Sequence, residues 1–314
     1  MIISASRRTD IPNYYSDWFI KRMEEGFVYV RNPMNPHQIS KVSLKKELVD
    51  CIVFWTKNPK NMIPKLKKLK DYPFYFQFTL TGYGKDVEPN LPSKREELIS
   101  TFIGLSKLIG REKVILRYDP IFINETYTVD YHKKAFGEIT EKLSPYTEKV
   151  IFSFMDFYTK TLRNTKHLNI RELTINDMKE IAKSFSEIAQ RNHLAIETCA
   201  EKIELNEFQI GHAKCIDDKL IQRILGCKLD IRKDGNQRLE CGCVESIDIG
   251  AYDTCNNGCC YCYANVNDLK VKENNQIYDI NSPLLCSNVN EGDQVFERKV
   301  KSFRVEQLSL FDKI

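Results

Sequence analysis

Four cysteines fall within eight residues of the stretch DTCNNGCCYCYAN, at Cys255, Cys259, Cys260 and Cys262. Cys255, Cys259 and Cys262 are spaced C-x3-C-x2-C, with Tyr261 just before the last. Three thiolates on one loop at these intervals can each take one iron of a 4Fe–4S cube, leaving the fourth iron open to a small ligand. Zinc is the competing chemistry, and it is usually held by two pairs of ligands. A second pair exists, Cys241 and Cys243 in ECGCVE, so zinc stays open beside iron–sulfur. Cys260 reads as a bystander by its spacing. Cys199, Cys215, Cys241 and Cys243 together form a candidate second site, for another 4Fe–4S cluster or for zinc. Cys227 and Cys286 are alternative members, and Cys51 opens an apolar run and reads as packing.

With its aromatic before the last cysteine, the first set resembles the radical S-adenosylmethionine signature, C-x3-C-x-aromatic-C. That resemblance implies that S-adenosylmethionine chelates the open iron through its amine and carboxylate. It also implies that an electron from a donor such as ferredoxin or flavodoxin cleaves the sulfonium to give a 5′-deoxyadenosyl radical. One departure is positional. The signature normally follows the first barrel strand, whereas here it follows ESIDIGAY (245–252). A circular permutation accounts for this if ESIDIGAY lies beside MIISA (1–5). Ser4, Ser6 and Arg7 would then stand with Tyr261 where the methionyl group of the cofactor is held.

The segments SASRRTDIP, VFWTKNP, RYDPI, CAE, CID, QRLECGC and DIGAYDTCNNGCCYCYAN span most of the chain. Together they are similar to the family catalogued as domain of unknown function 1848. A C-terminal cysteine cluster like that of radical S-adenosylmethionine enzymes characterises that family. The resemblance supplies no activity.

The elements that must position these groups read as alternating strands and helices. Strand candidates are 1–5, 51–56, 74–80, 113–118, 149–154, 193–198 and 245–252. Most are continuous apolar runs, as parallel strands covered on both faces require. Helices are signalled by SDWFIKRMEEG, from Ser16 to Gly26, by Ser93 to Gly110, and by TINDMKEIAKSFSEIAQRN with its Thr174 cap. GFVYVRNP reads as a small inserted β piece. The pattern predicts an α/β fold, a TIM-like parallel barrel, full or partial, with a cluster loop near its end. An open doubly wound sheet is the alternative. Residues 1–265 form the barrel on this reading, and 266–314 a C-terminal extension and tail.

Active sites of parallel barrels lie at the C-terminal strand ends. The polar groups there make Arg7, Arg8, Lys57, Arg117, Asp119 and Glu197 the catalytic candidates. The arginine forks of Arg7, Arg8 and Arg117 suit carboxylate or phosphate.

Eleven cysteines without a secretory start favour metal binding over disulfides, and a cytoplasmic setting. No apolar run is long enough to span a bilayer, so no membrane partner is expected. The net charge of +4 permits a nucleic-acid partner without requiring one. The lysine-rich run 57–70 offers phosphate contacts only if its charges cluster on the pocket side. Gln307–Phe311, QLSLF, is similar to the peptide by which bacterial DNA polymerases and repair proteins dock on the β sliding clamp. Packing of the same residues on the body is the plainer reading. The composite expectation is a radical S-adenosylmethionine-type iron–sulfur enzyme, with DNA or another nucleic acid as candidate substrate. The alternative is a metal-stapled, non-catalytic protein that docks on the replication and repair machinery.

Overall fold

The computed structural model describes residues 1–305, so the QLSLF segment lies outside the described residues. In chain order the strands are β1 (Ile2–Ala5), β2 (Phe27–Arg31), β3 (Gln38–Ser43), β4 (Cys51–Thr56), β5 (Phe74–Thr79), β6 (Val114–Ile121), β7 (Lys149–Phe154), β8 (Ala195–Thr198), β9 (Gly211–His212), β10 (Ile247–Asp248) and β11 (Gln294–Glu297). The helices are α1 (Ile11–Tyr14), α2 (Ser16–Glu25), α3 (Ile99–Ile109), α4 (Val129–Leu143), α5 (Thr159–Asn164), α6 (Ile175–Arg191), α7 (Asp218–Leu225) and α8 (Asp268–Gln276).

The main sheet has eight strands in the order β10-β1-β4-β5-β6-β7-β8-β9. Every pairing in it is parallel. Each apolar run has two faces because side chains alternate along a strand. Ile3, Ile52, Phe54, Phe76, Leu116 and Phe152 join the helices in the larger core. Their neighbours Ile2, Val53, Tyr75, Ile115 and Ile151 form a second core on the opposite face, filled out by residues of the 213–244 segment. An eight-stranded parallel sheet covered by helices on one face and by a second core on the other is compatible with a partial barrel-like α/β fold. The two edge strands are only two residues long. The segments beside them still touch, since the Val244 amide donates to the Ile216 carbonyl at 3.2 Å.

Local signals explain most boundaries. α2 stops at Gly26, whose φ of 77° is left-handed and costs glycine nothing. α6 starts with a reciprocal capping box between Thr174 and Asp177. Ser93 caps its helix as its residue type suggests, but the first turn, Lys94–Leu98, is a π turn and α3 proper begins at Ile99. The sixth strand begins two residues later than the apolar run, because His193 sits at a φ of 54°. ESIDIGAY contributes only two residues to the sheet. Beyond Asp248 the chain turns inward, and a side chain at Gly250 would come within 2.6 Å of Ser6 Cβ.

GFVYVRNP does form a β element. β2 pairs antiparallel with β3, and β11 adds to β3 in parallel. The C-terminal extension is thereby stitched onto the body. Leu285 and Cys286 enter the main core, and Trp18 of α2 donates its indole N–H to Ser282 O at 2.8 Å. No described helix is long and apolar enough to cross a membrane.

Candidate functional site

Asp248 ends β10, and its carboxylate organises the loop that follows β1. It accepts Ser4 Oγ at 2.9 Å, Ser6 Oγ at 2.6 Å and the Arg7 amide at 2.8 Å. It also accepts the Gly250 amide at 3.0 Å, so one side chain fixes both adjoining loops. β10 lies directly beside β1, pairing Ile3 with Ile247 and Ser4 with Asp248. The neighbourhood required by the permuted order is therefore present. A signal for Asp248 existed in the sequence, an acid inside an otherwise apolar run, but it does not stand among the sequence-derived site residues.

The cluster loop is held from two sides. On one side the buried Asp10 accepts the Lys57 amide at 2.8 Å and Asn257 Nδ2 at 3.0 Å. Asn257 in turn accepts Asn13 Nδ2 and the Tyr14 hydroxyl. On the other side the buried Glu88 accepts the Tyr261 hydroxyl, Lys57 Nζ at 2.7 Å, Lys94 Nζ at 2.5 Å and Thr81 Oγ1 at 3.0 Å. Burial alone would raise the Glu88 carboxyl, but the Lys57 and Lys94 ammoniums hold it at about 2. Lys57 also stands 5.4 Å from the Tyr261 ring centroid. The loop backbone is pinned as well, by Cys260 N to Val87 O at 3.0 Å. Gly258, at a φ of 69°, lies where a Cβ would meet Asn90 Nδ2 at 2.8 Å. Asp10 stands among the polar groups that follow the first strand, whereas Glu88 escaped the sequence reading because it is an isolated acid in a loop, with no spacing to mark it.

These restraints leave the loop facing a cavity of about 430 Å³ at the C-terminal ends of the strands. Cys255, Cys259, Tyr261 and Cys262 line it, and so do Ser6, Arg7, Arg8, Lys57, Arg117 and Asp119. The second cysteine set, Cys199, Cys215, Cys241 and Cys243, lines the same cavity. Two candidates do not line it. Ser4 is wholly buried and spends its hydroxyl on Asp248. Glu197 sits two residues before Cys199 on the same strand face, about 7 Å deeper, and pairs with Lys149 at 2.9 Å.

All eleven cysteines are free thiols. Burial pushes the Cys255 thiol up to about 12, and pushes Cys259 and Cys262 in the same direction. At neutral pH the metal-free trio is therefore protonated, and a metal must displace those protons to bind. Among the described residues no three His, Cys, Asp or Glu side chains already surround one ion-sized point.

The cavity wall carries cations without full partners. Arg7 and Arg117 lie against the Trp55 ring, at 5.3 and 5.2 Å from its centroid. Arg117 is committed to Asp119, with Nε 3.2 Å from Oδ2. Arg7 Nη2 is buried and has no hydrogen-bond partner among the described residues. Arg8 is partly exposed at the rim, 5.0 Å from the Tyr252 ring centroid.

The motifs that build this site, from the loop after β1 to the cluster loop, fall within residues 2–264, which match the family model described as domain of unknown function (DUF1848). The chain belongs to that family. No curated protein and no solved structure matches the chain. Membership of the DUF1848 family fixes the kinship of the motifs and assigns no reaction to the cavity they surround.

The lysine-rich run does not stand as one free basic patch. Lys57 is sequestered by Glu88, while Lys60, Lys65 and Lys68 face Glu97, Asp17 and Glu24 at 3.1, 2.7 and 2.9 Å.

Proposed function

We propose that this protein is a radical S-adenosylmethionine-type iron–sulfur enzyme built on a circularly permuted barrel. The observation that carries the reading is the pairing of β10 with β1, which sets the Cys255/Cys259/Cys262 loop beside the Ser6–Arg8 loop in one cavity. The donor set fits a 4Fe–4S cluster. Three thiols at C-x3-C-x2-C spacing along a pinned loop suit a cube, in which each meets a different iron and the fourth iron stays open. When bound, such a cluster supplies the electron that cleaves S-adenosylmethionine to a 5′-deoxyadenosyl radical.

The chain's own groups have distinct tasks in this reading. Asp10, Asn257 and Glu88 hold the loop so that the three thiols face inward. Asp248 holds the Ser6–Arg7 backbone against the loop. The unpartnered Arg7 nitrogen is a donor for a carboxylate or phosphate entering the cavity. Arg8 offers a second cation at the rim. Reading the Val244–Ile216 contact as the closing seam makes the sheet a full barrel around this cavity. DNA or another nucleic acid remains the candidate substrate, with a small anionic metabolite as the other class the arginines suit.

Anaerobic reconstitution tests the reading. The protein should turn brown and, on reduction, release 5′-deoxyadenosine from S-adenosylmethionine. A colourless protein after reconstitution defeats the iron–sulfur assignment. A brown protein that never cleaves S-adenosylmethionine defeats the enzymatic one and leaves an electron-transfer role.

A further inference from the structure

Three separate segments bring Cys199, Cys215, Cys241 and Cys243 together on the cavity wall. Cys199 follows β8, Cys215 follows β9, and Cys241 and Cys243 precede β10. The quartet therefore sits across the seam between the two edge strands of the sheet. Cys199 Sγ lies 3.2 Å from Cys215 Sγ. Cys243 Sγ accepts the amide of Ile216, the residue after Cys215, and Cys241 lines the same wall. Cys215, Cys241 and Cys243 are buried.

The surroundings suit a negatively charged thiolate group. Arg117 Nη1 donates to Cys215 Sγ at 2.7 Å. The Ile216 amide donates to Cys243 Sγ at 3.3 Å. Arg7, whose buried Nη2 has no hydrogen-bond partner among the described residues, lines the same cavity as the quartet. Arg7 and Arg117 place positive charge beside the net double negative charge of four thiolates around one divalent ion, although Asp119 already offsets that of Arg117.

We infer that these four cysteines bind a single tetrahedral zinc ion that staples the seam between β9 and β10. The site is separate from the trio and does not rest on the enzymatic reading. Zinc–sulfur bonds of about 2.3 Å in a tetrahedron place the sulfurs about 3.8 Å apart. Among the described residues the sulfurs do not yet surround one point, so they must gather around the ion, and the Cys199–Cys215 separation must open by roughly 0.6 Å to reach that value. A cube puts each thiolate on a different iron and would drive these sulfurs much farther apart. The backbone resists such an expansion, since Tyr75 and Gln77 both donate to the Cys215 carbonyl, at 2.7 and 2.8 Å. On binding, each thiol gives its proton to solvent. The segment from 226 to 246 contains no strand or helix of its own and is held by isolated antiparallel bridges, Lys233 to Val244 and Leu229 to Arg304. A metal ion at the quartet ties its Cys241–Cys243 end to Cys215, after β9.

Metal counting on the full chain tests this. Wild-type protein should carry about one zinc per chain in addition to any iron. A Cys241→Ser/Cys243→Ser variant should lose the zinc and keep the iron of the trio. A Cys255→Ala/Cys259→Ala/Cys262→Ala variant should lose the iron and keep the zinc, so failure of either assignment is seen separately. Cobalt(II) added to metal-free wild type provides a readout that needs no variant: four-thiolate coordination gives an intense sulfur-to-cobalt charge-transfer band with tetrahedral visible absorption. The inference is overturned if the quartet variant loses iron rather than zinc, which would mean a second cluster. It is equally overturned if wild type binds neither zinc nor cobalt through sulfur, or if mass spectrometry of anaerobic protein finds Cys199 and Cys215 as a disulfide.

Discussion

Ser4 Oγ donates to Asp248 Oδ2 at 2.9 Å across 244 residues of sequence. This contact joins the first strand of the chain to the strand that carries the cluster loop. Everything proposed for the cavity depends on that neighbourhood, so Asp248 is the residue to perturb first.

Asp248→Ala removes the acceptor of two hydroxyls and two amides. Hydrogen bonds to a charged group contribute about 1.5–3 kcal/mol each, with strong non-additivity. The expected loss is about 3 kcal/mol of unfolding free energy, read from urea midpoints of metal-free protein. Asp248→Asn keeps part of the acceptor capacity and should lose roughly half as much. Equal midpoints for wild type and Asp248→Ala would show that the contact does not hold the two strands.

The trio makes a compositional prediction. Replacing Cys255, Cys259 and Cys262 together by Ala should remove about four irons and a matching amount of sulfide per chain. Cys260→Ala should leave both counts unchanged, because the Cys260 sulfur points to Asp86 O and His167 instead of joining the trio. Iron lost on Cys260→Ala would reassign the ligand set.

Glu88 is the anchor behind Tyr261. Removing one partner of a buried ion pair costs about 3–5 kcal/mol, because the other charge is left uncompensated. Glu88→Gln should therefore destabilise the protein by that order and disturb the visible circular dichroism of reconstituted protein. Combining it with Lys57→Met should recover part of the loss, a coupling that a double-mutant cycle measures. Additive effects would show that the pair in the structure is energetically idle.

His132 gives a pH signature. It is wholly buried, and burial lowers its pKa from 6.5 to about 4. Its Nδ1 lies 2.9 Å from the Tyr118 hydroxyl and its Nε2 2.8 Å from the Phe122 carbonyl, an arrangement that suits the neutral ring. The unfolded chain takes up a proton below pH 6.5 and the folded chain only below about 4. Stability from this group is therefore complete above 6.5 and falls between 6.5 and 4, by about 3 kcal/mol in full. Glu201 works in the opposite direction, because burial pushes its carboxyl up to about 7. The difference between wild type and His132→Gln isolates the histidine: urea midpoints should converge as the pH falls from 6.5 to 4. Parallel curves would exclude its role.

Much of this architecture was legible before any coordinates. Cys51–Thr56 and Lys149–Phe154 are strands with the bounds their apolar runs suggest, because burial on both faces leaves no room for polar residues. The cysteine spacing marked the cluster loop, and the arginines at strand ends marked its cavity. β9 was invisible, since two residues carry no period. Glu197 was misplaced toward the cavity because a strand's direction and depth cannot be read from its composition.

The sequence by itself determined which groups exist and which are local neighbours: the C-x3-C-x2-C loop, the helix caps and the alternating strand faces. These follow from covalent connectivity and short-range sterics, which a linear string contains. Tertiary structure alone decided that β10 lies beside β1, that Glu88 and Asp10 grip the cluster loop, and that four cysteines from three segments meet at one seam. Such contacts are chosen by the closure of a shared core and by pairing of buried charge, across separations that no local pattern encodes.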